Sequence, residues 1–157
     1  EITTRLVGSE MCIRDRYQHL MITYEYRLPH DINSFRRSVG WYELSPRQLN
    51  CALKSSVFAI TALDGEKEVG SARVVGDGGY QFFISDVIVR PEYQGQGIGR
   101  EMLSRLMDKA LSVADEGETI MINLMAAKDK EPFYEKLGFM RRPNDERGCG
   151  MTRFLKK

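Results

Sequence analysis

Little in this 157-residue chain could staple it together other than a hydrophobic core. It has three cysteines, Cys12, Cys51 and Cys149, and two histidines, His19 and His30. The cysteines stand far apart with no CxxC pair, so the sequence encodes neither a disulfide framework nor a zinc site, and no metal is expected. Reduced thiols of this kind suit a cytoplasmic protein. An excess of one charge is missing too: Lys+Arg is 23 and Asp+Glu is 22, a formal net charge of +1. Surfaces that grip nucleic acid or an anionic membrane are built on a charge excess, so neither partner is expected. No apolar run approaches the ~20 residues of a bilayer-spanning helix. What remains is a chain with 42% hydrophobic and 29% charged residues, enough for one self-sufficient core.

Residues 1–20, EITTRLVGSEMCIRDRYQHL, do not read like the rest. They show no clean period, and no basic stretch leads into an apolar one, as a signal peptide would require. They read as a non-native or disordered extension, with Met21 as the natural start and 21–157 as one domain.

From there the pattern punctuates itself. Ile22 to Tyr26 alternates and is rich in β formers. Asp31 can cap a short helix through Val39, and Ser45-Pro46 opens a second through Lys54. Val57 to Leu63, Glu68 to Val75 and Tyr80 to Val89 are strands separated by Asp64-Gly65 and Gly76-Asp77-Gly78-Gly79, hence an antiparallel meander. Simple alternation along the third places Phe83, Ser85, Val87 and Val89 on one face and Phe82, Ile84, Asp86 and Ile88 on the other. A helix from Arg100 to Ala114 carries one apolar stripe, Met102, Leu103, Leu106, Met107, Ala110 and Leu111. A strand from Ile120 to Ala126, a short helix from Asp129 to Leu137 stopped by Gly138, and a closing strand from Met151 to Leu155 complete the order β-α-α-β-β-β-α-β-α-β. The fold class is α/β: a single mixed, mostly antiparallel sheet with flanking helices.

The stretch that carries chemistry is Gln94-Gly95-Gln96-Gly97-Ile98-Gly99-Arg100, between a strand and an amphipathic helix. Glycines let a backbone approach a ligand and aim successive N–H groups into one concavity. The helix start adds unpaired N–H groups and the positive dipole end. Together they make a pyrophosphate cradle. The P-loop pattern fails for want of a Lys-Ser/Thr pair, and the dinucleotide fingerprint fails because Arg100 stands where Gly or Ala is needed.

Gln94-x-x-Gly97-x-Gly99 resembles the Q/R-x-x-G-x-G/A signature of the GNAT superfamily of acyl-CoA N-acyltransferases. Val87-Ile88-Val89-Arg90-Pro91-Glu92-Tyr93 is similar to that family's lead-in strand. Pro132-Phe133-Tyr134-Glu135-Lys136-Leu137-Gly138-Phe139 looks like its second signature, in the family's order and at its spacing. The resemblance runs from about Met21 to the C-terminus. It implies a central strand splayed from its neighbour, with acetyl-CoA as cosubstrate in the opening. Pantetheine would pair with the backbone of Val87, Ile88 and Val89. The amides of Gln94, Gly95, Gln96, Gly97, Ile98, Gly99 and Arg100 would hold the pyrophosphate, with Arg100 either touching phosphate or standing exposed in the first helical turn.

By the same resemblance Tyr134 is the general acid. A phenol of pKa near 10 can donate to a departing thiolate; the bland alternative is that Phe133, Tyr134 and Leu137 are the inward face of a short helix. The base is less defined. Several relatives carry Glu or His at positions matching Phe83 or Ser85, and this chain carries neither. Asp86 is the nearest carboxylate, or a structural partner of an arginine such as Arg73. Ser85 could order a relay water, Glu43 is a third candidate, and bulk water suffices for an amine of low pKa. An Asn that many relatives place before the Tyr helix is also absent; Lys128 and Lys130 stand there, as phosphate contacts or as exposed lysines. Trp41, Tyr42 and Tyr80 are candidate walls of the acceptor site, and Glu43, Asp145 and Glu146 its candidate negative charges. The expectation is an N-acetyltransferase acting on a primary amine, a small amine or arylamine, in a ternary complex, as monomer or homodimer. A silent acyl-CoA sensor on the same fold and a protein or peptide acetyltransferase are the alternatives.

Overall fold

Each turn residue named above closes an element where its chemistry predicts, and the boundaries move by a few residues only. The structure, a computed structural model, describes residues 21–151. The 1–20 extension and the closing strand expected beyond Met151 lie outside the described residues. Met151 itself is not in a strand.

Strand β1 (Ile22–Glu25) precedes α1 (Ile32–Ser38) and α2 (Pro46–Lys54). Asp31 caps α1 by accepting from the Ser34 amide at 3.0 Å, and Ser45 and Gln48 form a reciprocal capping box on α2. Then come β2 (Phe58–Asp64), β3 (Lys67–Gly76), β4 (Gln81–Val89), a 3-10 turn (Pro91–Tyr93), α3 (Ile98–Leu111), β5 (Met121–Leu124) and α4 (Glu131–Glu135). The sheet runs in chain order, β1 to β5. Its first four strands are antiparallel neighbours, whereas β5 lies parallel to β4, as the α3 crossover requires.

The apolar stripe of α3 is the reason the domain holds. Ile98, Met102, Leu103, Leu106 and Ala110 are buried against Ile60, Ala62, Ala72, Val74, Phe82 and Ile84 of the sheet. At about 1.5–3 kcal/mol per fully buried large apolar side chain, this cluster dominates the favourable terms. On the opposite face α1 buries Ile32 and Phe35. Two ties pin α1 to β4 and the residue that follows it: Arg90 stacks over Phe35 and donates to Ser34 Oγ at 2.9 Å, and Arg36 reaches Asp86.

The structure corrects the simple alternation along β4. Arg73 of β3 pairs with Ser85, yet Ser71 pairs with Ile88. Two steps on β3 therefore face three on β4, a bulge in which Asp86 takes the left-handed conformation with φ of 50°. One extra residue reverses every face after it. Ile88 joins Ser85 on the α1 side, and Val89 joins Ile84 on the α3 side, where a Cβ built on Gly99 would meet its Cγ2 at 3.6 Å.

Candidate active site

The last ladder pair between β4 and β5 is Ile84 with Leu124. Beyond it β4 runs on to Val89 while β5 ends, so the two strands part. The gap is a cleft of about 690 Å³. Residues 83–89 of β4 form one wall and 124–127 the other; Gln94, Gly95 and 97–100 close one end, and Val39 and Trp41 also line the cleft. Phe133 and Tyr134 complete the wall.

Backbone supplies the cofactor end. Arg90 donates its amide to Val69 of β3 at 2.9 Å. Backbone groups alternate sides along a strand, so the N–H and C=O of Val89 point into the opening. Gln94 Nε2, itself in the wall, donates to that carbonyl at 2.9 Å. Ile88 instead belongs to the Ser71 pair. Gly95 and Gly97 hold φ of 77° and 82°, a region where an L side chain is strained. Gly97 is also the N-cap of α3, and no side chain bonds to that helix end. Its first-turn amides therefore lack intrahelical acceptors and sit at the positive end of a 14-residue helix. That is a fitting cradle for a pyrophosphate. Gln96 alone of the loop is outside the wall; its Nε2 donates to the Glu92 carbonyl at 3.4 Å.

Tyr134 stands on α4, edge-on to Phe133 with ring centroids 5.0 Å apart and to Phe139 at 6.0 Å. Burial among these rings pushes its phenol above the ordinary value of 10.0. Its hydroxyl has no hydrogen-bond partner among the described residues. At neutral pH it therefore keeps a proton that it can give away inside the cleft.

Asp86 is committed on both oxygens. Arg36 Nη1 donates to Oδ1 at 2.7 Å and Arg73 Nε to Oδ2 at 2.6 Å. Both Ser85 and Asp86 line the cleft. Of the expected acceptor walls Trp41 is in place, whereas Tyr42 and Tyr80 lie outside the wall. So do Glu43, Asp145 and Glu146, with Glu43 held by Arg37 at 2.9 Å. Arg100 and Lys130 border the cleft, and Lys128 does not. Among the described residues no group of three or more His, Cys, Asp or Glu side chains could hold a metal ion, and no helix is long and apolar enough to cross a membrane.

Sequence reasoning missed Val39 and Phe83 as walls, and Arg36 as the partner of Asp86. Its one available signal was an aspartate inside an apolar strand, since Asp is among the few residues that tolerate the left-handed conformation.

Known proteins place the same architecture. A solved structure of a probable acetyltransferase from Staphylococcus aureus superposes with a TM-score of 0.74 at 27% identity, covering 87% of this chain and 100% of that one. An uncharacterized N-acetyltransferase (ycf52) of Pyropia yezoensis is 33% identical over 115 residues, 71% of this chain and 64% of that relative. A chloroplastic serotonin N-acetyltransferase of rice is 37% identical over 89 residues, 55% of this chain and 42% of its own. This chain thus spans less than two thirds of the length of the curated relatives named. The description of a GNAT acetyltransferase domain matches residues 55–141, from before β2 to just past α4, the stretch that builds both the splayed strands and the glycine loop. With the fold, the loop and the Tyr134 helix in one cleft, the chain belongs to the GNAT acetyltransferase family.

Proposed function

We propose that the chain transfers an acetyl group from acetyl-CoA to the amine of a small molecule, with an arylamine favoured, in a ternary complex. One observation carries this reading: the proton-bearing Tyr134 hydroxyl and the amide cradle of residues 94–100 open on a single cleft beside the unpaired edge of β4. The cradle binds the cosubstrate's phosphates, and Val89 offers backbone to its amide-bearing arm once Gln94 yields the carbonyl. The amine nitrogen bonds to the thioester carbonyl carbon, the carbon–sulfur bond breaks, and Tyr134 gives its proton to the leaving sulfur.

The amine must shed a proton as well. Asp86, with both oxygens on guanidinium groups, is read as a holder rather than a base. Water ordered by Ser85 then takes the proton, which suits an amine already neutral at working pH. The acceptor end is apolar, with Val39, Trp41 and Phe83. Among the described wall residues the only carboxylate is Asp86, and both its oxygens are engaged by guanidinium groups. An aromatic amine meets both conditions.

The test is CoA release with a panel of arylamines, alkylamines and lysine peptides, for wild type and Tyr134→Phe. Turnover best with arylamines, collapsing in the Phe variant, supports the reading. Tight acetyl-CoA binding with no turnover on any amine would establish a silent sensor instead, and preference for the peptides would shift the substrate to protein amines.

A further inference from the structure

We propose that Arg36 is a positioning residue that couples the β4 bulge to the acceptor loop 39–44, so that acceptor affinity is set by a side chain outside the cleft wall. Arg36 is 6% exposed. A guanidinium is rarely buried without a task for its fork of donors. Here that fork divides between two regions. Nη1 donates to Asp86 Oδ1 at 2.7 Å, on the bulge. Nε donates to the Tyr42 carbonyl at 2.8 Å, in the loop. Its cationic carbon also lies 5.3 Å from the Trp41 ring centroid and 4.7 Å from that of Tyr42.

The loop itself is anchored at both ends. Trp41 donates its amide to the Arg36 carbonyl at 2.9 Å after a left-handed turn at Gly40. Asn33 grips both the amide and the carbonyl of Leu44, each at 2.9 Å. Between these anchors, the aromatic side chains rest on the guanidinium, and Trp41 forms part of the cleft. Asp86 and Trp41 both hold the same cation. Any change in the bulge carboxylate therefore reaches the acceptor wall through one rigid plane. A buried ion pair is weak evidence for stability, because desolvation offsets most of its attraction. Its better-attested use is to specify geometry.

The experiment uses Arg36→Lys and Asp86→Asn in the full chain. Lysine keeps the charge but loses the fork. Asparagine keeps the left-handed backbone and an acceptor oxygen but loses the charge. Trp41 is the chain's single tryptophan. Its acrylamide quenching reads the loop without any turnover, so this arm stands even if the acetyl-transfer reading, on which the kinetic arm rests, fails. Coupling of this kind predicts roughly twofold stronger quenching in both variants. It also predicts an acceptor KM raised about fivefold, with the acetyl-CoA KM within twofold of wild type. The double variant resembles the worse single one. Unchanged Trp41 quenching in both variants overturns the proposal. So does a joint rise of both KM values that tracks a lowered Tm, which is what a merely structural arginine would give. A loss of kcat in Asp86→Asn without change in quenching or acceptor KM would also overturn it, and would return Asp86 to the role of base.

Discussion

The two ends of the cleft are made of different materials. The cofactor end is backbone: the Val89 edge, two left-handed glycines and a helix start that no side chain caps. The proposed acceptor end is side chain: Val39, Trp41 and Phe83, with Arg36 resting on Trp41 and bonded to Asp86. The contrast explains how a chain of net charge +1 can hold a polyanion. In the proposed function amide dipoles do the holding, and they cost nothing in formal charge.

The sharpest way to break that contrast is at Tyr134, where the two ends meet. Tyr134→Phe should lower kcat by about 10²-fold or more while leaving the acetyl-CoA Kd near wild type, in single-turnover assays with binding measured by calorimetry. The pH profile carries a second signature. Because burial raises the phenol, the group stays protonated past 10.0, so the wild-type falling limb lies above that value. In the Phe variant this limb disappears.

Next in size is the cofactor end alone. Gly97→Val places a β-branched residue at φ of 82° and misdirects the helix-start amides. Acetyl-CoA should bind about tenfold more weakly, with quenching of Trp41 by acrylamide unaltered in the free protein. A variant that binds acetyl-CoA as wild type does would show that the amides are not the cradle.

The acceptor end answers to Trp41→Ala. Loss of one aromatic wall should raise the KM for arylamines roughly three- to tenfold and that for alkylamines less, with acetyl-CoA affinity steady. Equal effects on both amine classes would remove the aromatic basis for selectivity.

The smallest effect concerns the frame behind α1. Partial burial pushes the Glu68 carboxyl up, but bonds from Arg27 and from the His30 amide and ring outweigh it and hold the group below its ordinary range. A carboxylate lowered on folding stabilises above its unfolded pKa, and that contribution is lost as pH falls through the folded value. Glu68→Gln should therefore lower Tm at neutral pH and flatten its decline between about pH 5 and pH 3. The acetyl-CoA Kd should not move.

Much of this was legible before any coordinates. The glycine loop could be read because such a backbone feature leaves its mark in the residue types that permit it: Gly95 and Gly97 at their spacing, and an apolar stripe that starts a helix at once. The Pro132-to-Phe139 signature likewise announced Tyr134. The acceptor end resisted. Tyr42 and Tyr80 are as aromatic as Trp41, and no local pattern says which of the three turns inward. Arg36 reads as a surface residue of a short helix until β4 is laid beneath it.

The amino-acid order alone determined the helices and strands of the described residues, the meander and the glycine loop, because these follow from local backbone preference and apolar periodicity. Only the tertiary structure decided the faces of β4 and the company of Asp86. A bulge is a disagreement in count between two strands, Ser71 to Arg73 on one and Ile88 to Ser85 on the other. A single strand read by itself carries no partner to count against. That one extra residue turns Val89 toward the glycine loop and sets Asp86 between two arginines far from it in sequence. A chain without surplus charge thus builds its site from pairing geometry, which sequence order constrains and only the assembled sheet completes.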